Sequence, residues 1–306
     1  MKRLLIYAIL TALCALALAG CAAGAENDDG GLRIVTTNFV CYDIARAVAG
    51  DRAEITMLIK PGADVHTFEP TPAGVAAMLE ADIFIYIGGE SDVWADGMLA
   101  SMDDGPLVVR MFDCVEALTE EDGAEHGHDG EEYDEHIWTS PENAARMVRH
   151  AAESIISRDP DNADVYNAAA EGYIAEIEAV DARIQAIVDG AARHELVFAD
   201  RFPFLYLANQ YGLSWYAAFP GCAAETEPSA RVLMEMVDRV TSEGIPAVYT
   251  IELSSGAIAQ MVAQETGAEI LTLHAMQNVT AEEFAAGETY ISIMNKNAEA
   301  LERGLN

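Results

Sequence analysis

The apolar positions between Leu32 and Leu305 alternate between short continuous runs and helical spacing. Leu32 to Thr37 is a short β-rich run, and Tyr42 to Ala49 continues at helical period with Asp43 near its start. Ile55 to Ile59 predicts a second strand, stopped by the turn-forming Lys60-Pro61-Gly62. Thr71-Pro72 opens a helix to Glu80, with proline at a favoured first-turn position. Asp82 to Ile87 is almost continuously apolar, as a strand buried on both faces of a parallel sheet must be. Gly88-Gly89 ends it, Trp94 to Ala100 reads as helix, and Pro106 to Met111 gives a fourth strand. Strand and helix in strict alternation predict an α/β lobe.

Thr119 to Glu135 breaks the pattern: it is acidic, glycine- and histidine-containing, without period, and reads as a loop. Ser140-Pro141-Glu142 then caps and opens a helix with the apolar stripe Ala144, Met147, Val148 and Ala151. Ala163 to Val188 holds helical spacing without proline for a length on the order of 40 Å, enough to run across a two-lobed molecule. The alternation restarts with strands at Leu196 to Ala199, Ser214 to Ala218, Val248 to Ile251 and Glu269 to Leu273. Helices fall between and after them at Phe204 to Tyr211, Ser229 to Glu243, Gly256 to Thr266 and Thr289 to Leu305. The expected architecture is two α/β lobes with mostly parallel sheets, 32–160 and 191–306, joined by one long helix over 161–190.

The amino-terminal segment reads differently. Lys2 and Arg3 precede an uncharged apolar run, Leu4 to Ala19, whose length suits a cleavable signal rather than a membrane span. Leu18-Ala19-Gly20-Cys21 resembles a bacterial lipobox, in which Cys21 would be lipidated. Residues 1–20 are therefore expected to be a lipoprotein signal and 21–31, small and acidic, a flexible tether. This predicts an extracytoplasmic protein held at the membrane by its lipid.

The formal net charge of −34 excludes phosphate neutralisation, so nucleic acid is not an expected partner. Cys41, Cys114 and Cys222 fit no zinc-finger spacing, and sequence leaves their pairing open. No phosphate-binding glycine loop, Gly-x-Ser-x-Gly elbow or His-Glu-x-x-His helix occurs.

Three histidines occupy equivalent places. His66 lies on the loop after a strand, His136 where the acidic loop meets a helix, and His274 directly after a strand. Open α/β sheets place ligand groups at such carboxyl ends. Imidazoles converging from two lobes would suit zinc or a neighbouring transition metal, not calcium or magnesium. His150 and His194 lie on or after helical stretches and are assigned to surface or packing, and Trp94, Trp138 and Trp215 to walls and core.

The stretch Lys60-Pro61-Gly62-Ala63-Asp64-Val65-His66-Thr67-Phe68-Glu69-Pro70-Thr71-Pro72 closely resembles the first-ligand motif of the zinc and manganese solute-binding lipoproteins of ABC importers. His136-Ile137-Trp138-Thr139-Ser140-Pro141 resembles their second, and Tyr211-Gly212-Leu213, Glu227-Pro228-Ser229 and Glu265-Thr266-Gly267-Ala268 resemble later landmarks. The resemblance implies pseudo-symmetric lobes on a rigid helix, metal between them, little hinge motion, and a membrane permease as partner to a monomer. It also implies zinc over manganese, because zinc-specific members carry an acidic, histidine-bearing loop like that holding His126 and His128.

The sequence departs from that pattern in two places. The family's third ligand falls on Arg201, which cannot ligate a metal, and its fourth on His274. The expected set is His66, His136 and His274, with Glu225, Asp200 and Cys222 as candidates for a further ligand. Arg201 is expected to pair with Glu225 or Glu227 beside the site. The expected function is therefore capture and delivery of zinc, without catalysis. The alternative is a secreted zinc hydrolase with Glu69 or Glu225 as base.

Overall fold

The computed structural model describes residues 31–102, 104–119, 133–219 and 228–306. The expected signal and tether with Cys21, the loop histidines His126 and His128, and the segment bearing Cys222, Glu225 and Glu227 lie outside the described residues.

Two four-stranded parallel sheets form the frame. The first contains β1 (Leu32–Thr36), β2 (Ala53–Met57), β3 (Ile83–Tyr86) and β4 (Leu107–Arg110), in the order β2-β1-β3-β4. The second contains β5 (Glu195–Phe198), β6 (Ser214–Ala217), β7 (Ala247–Thr250) and β8 (Glu269–Thr272), in the order β6-β5-β7-β8. The two orders are the same, so the lobes repeat one topology. In each, the chain leaves the first strand for one side and returns on the other. The crevice beyond the carboxyl ends of β1 and of β5 is thus a topological switch point, where such sheets bind ligands.

The helices are α1 (Phe39–Ala49), α2 (Pro72–Glu80), α3 (Val93–Leu99), α4 (Pro141–Arg158), α5 (Ala163–Gly190), α6 (Leu205–Tyr211), α7 (Ala230–Glu243), α8 (Ala257–Thr266), α9 (Ala281–Ala286) and α10 (Tyr290–Gly304). The first helix starts three residues earlier than the pattern predicts, because Asn38 caps it by accepting a hydrogen bond from the Cys41 amide at 3.1 Å. The sequence reading also passed over α9. Its six residues are too few to show a period, but Thr280 and Glu283 form a capping box and Gly287, at φ +77°, closes it.

The long helix α5 spans 28 residues and buries Tyr166, Ala170, Ile174, Ile177, Val180, Ile184 and Val188 on one face. That stripe packs against α4, α1 and α10. It joins Ile34 and Ile83 of one sheet to Phe198 and Tyr249 of the other within a single apolar cluster. Shared core resists hinge motion, since packed interiors deform little without losing contacts. The buried carboxylate Asp43 strengthens the junction: it accepts hydrogen bonds from the Tyr290 amide at 2.9 Å and from the Tyr173 hydroxyl, tying α1, α5 and α10 together. Among the described cysteines, Cys41 is buried and Cys114 partly exposed, and both are unbridged.

Candidate metal centre

The loop after β2 carries His66 into the cleft. Gly62 turns the chain at φ +82°, and its amide donates to Val279 O at 2.7 Å. Asn278, only 2% exposed, donates from one amide nitrogen to Lys60 O and Ala63 O, both at 2.8 Å. The first-lobe loop is therefore pinned to the segment that follows β8. Asp64 Oδ1 then accepts from the His66 amide at 2.9 Å and fixes the last bend.

His136 sits at the mouth of α4 and is 2% exposed. Asp134 Oδ1 accepts from its amide at 2.7 Å and lies 2.9 Å from its Nδ1. A carboxylate on one imidazole nitrogen fixes tautomer and ring angle and makes the other nitrogen a better metal donor. That other nitrogen, Nε2, faces the Gln277 side-chain amide. The two rings, His66 and His136, have centroids 6.1 Å apart.

Glu135 completes the group. Its Oε1 lies 3.4 Å from His66 Nδ1. It also accepts from the Ser91 hydroxyl, which is itself 2.9 Å from His66 Nδ1, while Oε2 accepts from the Ser91 amide at 2.8 Å. Donor atoms of His66, Glu135 and His136 all lie within 4.8 Å of one another. With zinc bonds near 2.1 Å, two ligands can be at most about 4.2 Å apart, so small side-chain adjustments suffice for these three to share an ion. Glu135 reaches this place because Gly89 has no side chain: a Cβ there would lie 2.3 Å from Glu135 Cβ. Burial pushes the carboxyl of Asp92 up to about 6, with the charge of Glu135 adding to it, against the opposing hydrogen bonds from the Gly88 and Ile87 amides.

His274 is not a member of this group. It is 8% exposed, and its Nδ1 accepts from the Met276 amide at 3.0 Å and lies 3.6 Å from Glu252 Oε2, while its Nε2 lies 3.8 Å from Glu283 Oε1. Glu252 in turn accepts from the Ala275 amide at 2.6 Å and the Gln277 amide at 3.1 Å, holding the segment that presents Gln277 to His136. Asp200 is likewise engaged, accepting from Thr250 Oγ1 at 2.6 Å and the Arg201 amide at 2.9 Å. Arg201 lines the cleft itself, at the switch point of the second lobe. Glu135, Ser91 and Gln277 were not singled out from sequence. The adjacency of Glu135 to His136, and the position of Ser91 beyond a strand end, were the available signals.

A cleft of about 410 Å³ lies between the lobes, bounded by His66 and Asp64 on one side and by Arg201, Ser255 and Gln277 on the other. Two parallel-sheet lobes on a shared helix, facing a cleft with imidazoles at its edge, define a two-lobed solute-binding architecture. Residues 34–304 match the family described as the zinc-uptake complex component A, periplasmic, and the chain belongs to that family. It is 33% identical over 304 residues to the zinc-binding lipoprotein AdcA of Streptococcus pneumoniae, covering 96% of this chain and 60% of AdcA. It is 29% identical over 308 residues to the high-affinity zinc uptake system protein ZnuA of Bacillus subtilis, covering 96% and 95% of the two. The Zn(II)-bound ZnuA-like domain of S. pneumoniae AdcA superposes with a TM-score of 0.77 at 30% identity, over 90% of this chain and 99% of that one. The chain thus spans about three fifths of the AdcA proteins it matches and nearly all of the B. subtilis relative.

Proposed function

We propose that this chain captures zinc in the inter-lobe cleft and delivers it to an ABC importer in the membrane, without catalysing a reaction. The observation that carries the reading is the convergence of His66, Glu135 and His136 donor atoms within 4.8 Å at the cleft edge. Two imidazoles and a carboxylate suit zinc better than an oxygen-only site would. Family membership and the zinc named for AdcA and ZnuA support the same cargo. His274 belongs to the supporting shell in this reading, ordering the Gln277 segment through Glu252. Residues 1–20 act as a lipoprotein signal, and the mature chain is an extracytoplasmic monomer anchored through Cys21. Among the described residues no helix is long and apolar enough to cross a membrane.

Calorimetric titration of the protein with zinc and with manganese tests the reading. Zinc should bind one per chain and more tightly than manganese, and His66→Ala or His136→Ala should each abolish tight binding. Tighter manganese binding, or unchanged zinc affinity in both variants, refutes it.

A further inference from the structure

We infer that the cleft takes zinc together with a small carboxylate-bearing chelator, Arg201 holding the chelator's carboxylate while His66 and His136 hold the metal; this rests on the zinc-binding reading above. The first ground is space. A cleft of about 410 Å³ would hold on the order of a dozen waters, far more than one ion needs, and falls in the range of small-molecule pockets. Because His66 and Gln277 both line it, the metal group opens directly into this volume.

The second ground is Arg201. The residue lines the cleft, and its one hydrogen bond among the described residues is made by its backbone amide, to Asp200, not by its guanidinium. The nearest acid in sequence, Asp200, is committed to Thr250 and to the Arg201 amide. A guanidinium is permanently charged and presents a planar fork that matches a carboxylate. Among the described residues the metal group offers two imidazoles and one carboxylate, one donor short of a tetrahedral set, and a donor from a second molecule would complete it.

The third ground is the charge of the walls. Among the described residues Asp64, Asp200 and Glu252 also line the cleft, so a free anion entering it would meet these three carboxylates against Arg201. All three accept hydrogen bonds from backbone amides and stay in place. A chelate whose negative charge is offset by its metal suits this mixture, whereas a bare polycarboxylate does not. The recognised species is therefore the metal–chelator pair, and the anion should enter only with its zinc.

Equilibrium dialysis with radiolabelled citrate as the chelator, with and without one equivalent of zinc, reads this directly. The full chain should retain one citrate per zinc and none without zinc. Arg201→Gln should lose citrate roughly tenfold to a hundredfold more than it loses zinc, as removal of a charge-assisted pair implies, and Arg201→Lys should recover part of it. No citrate retained beside bound zinc, citrate retained without zinc, or equal citrate retention in Arg201→Gln would each overturn the inference. Loss of zinc binding itself from the unaltered chain would instead sink the zinc reading on which it depends.

Discussion

Replacing Asn278 by alanine tests how the two lobes jointly build the proposed metal centre. Asn278 donates to Lys60 O and Ala63 O, both at 2.8 Å, and accepts from the Val279 amide at 2.9 Å. Alanine deletes all three bonds and leaves two carbonyls at the base of the His66 loop without this donor. At roughly 1 kcal/mol net for each bond, the loss is about 2–3 kcal/mol. For a body of this size that corresponds to a fall in Tm of about 4–10 °C. Freeing even one residue of the loop that must be reordered on metal binding costs about 1–2 kcal/mol, so zinc affinity should fall about tenfold. Asn278→Asp keeps the side-chain volume but sets a carboxylate against two carbonyl oxygens, so it should destabilise at least as much. Differential scanning calorimetry gives the first quantity and competition with a zinc chelator of known affinity the second. If Asn278→Ala melts within about 1 °C of the parent and binds zinc equally well, the loop is held by other contacts, such as Gly62 N to Val279 O, and the reasoning fails.

Asp134→Asn should weaken zinc binding about tenfold to a hundredfold with little change in Tm, because the amide keeps the shape but not the charge beside His136 Nδ1; an unchanged zinc affinity in competition titrations would contradict this. Asp159 carries the acid-side prediction: the Tyr166 hydroxyl at 2.6 Å, then the Asn162 amide at 2.7 Å, lower its carboxyl below the usual 3.8. A carboxyl lowered by folding stabilises above its unfolded value and loses that contribution as pH falls through the folded one. Tyr166→Phe should therefore cost about 1 kcal/mol near neutrality and show a shallower loss of stability below about pH 4 in denaturant titrations; a parallel acid limb in both proteins would count against it.

Most of the frame was legible because it rests on periodicity. The strands of the two sheets are short runs, largely buried in the inner strands β1, β3, β5 and β7, and the α5 stripe from Tyr166 to Val188 keeps a 3- or 4-residue spacing throughout. The meeting of His66 and His136 was also readable, each standing where a strand or a helix mouth meets a loop. Glu135 was hidden at the edge of an acidic run, where one carboxylate is indistinguishable from its neighbours until the fold buries it to 8% exposure. Gln277 was hidden for another reason: its role depends on the turn at Met276, φ +60°, and on Glu252 far away in sequence. His274 also follows a strand end, but the described structure sets it apart from the cluster of His66, Glu135 and His136. Direction at a strand end depends on the next two backbone dihedrals, and here they turn its Nδ1 toward the Met276 amide and Glu252.

The positions of strained backbone fit a rigid receptor. Among the described residues only Leu253 and Met276 combine a side chain with positive φ, at +58° and +60°. Leu253 lines the cleft, and Met276 directly precedes the cleft residue Gln277. Such conformations cost on the order of 1–3 kcal/mol each and persist only where surrounding contacts over-determine them. Glu252, next to Leu253 in sequence, holds the residues on either side of Met276, accepting from the amides of Ala275 and Gln277. A receptor that closed by a hinge would not need its cleft wall held so firmly before the ligand arrives. Here the continuous core along α5 fixes the lobes, and the Asn278 and Glu252 bonds fix the loops. On the proposed site, metal capture would then proceed by side-chain adjustment around His66, Glu135 and His136, in a cleft whose outline is already set.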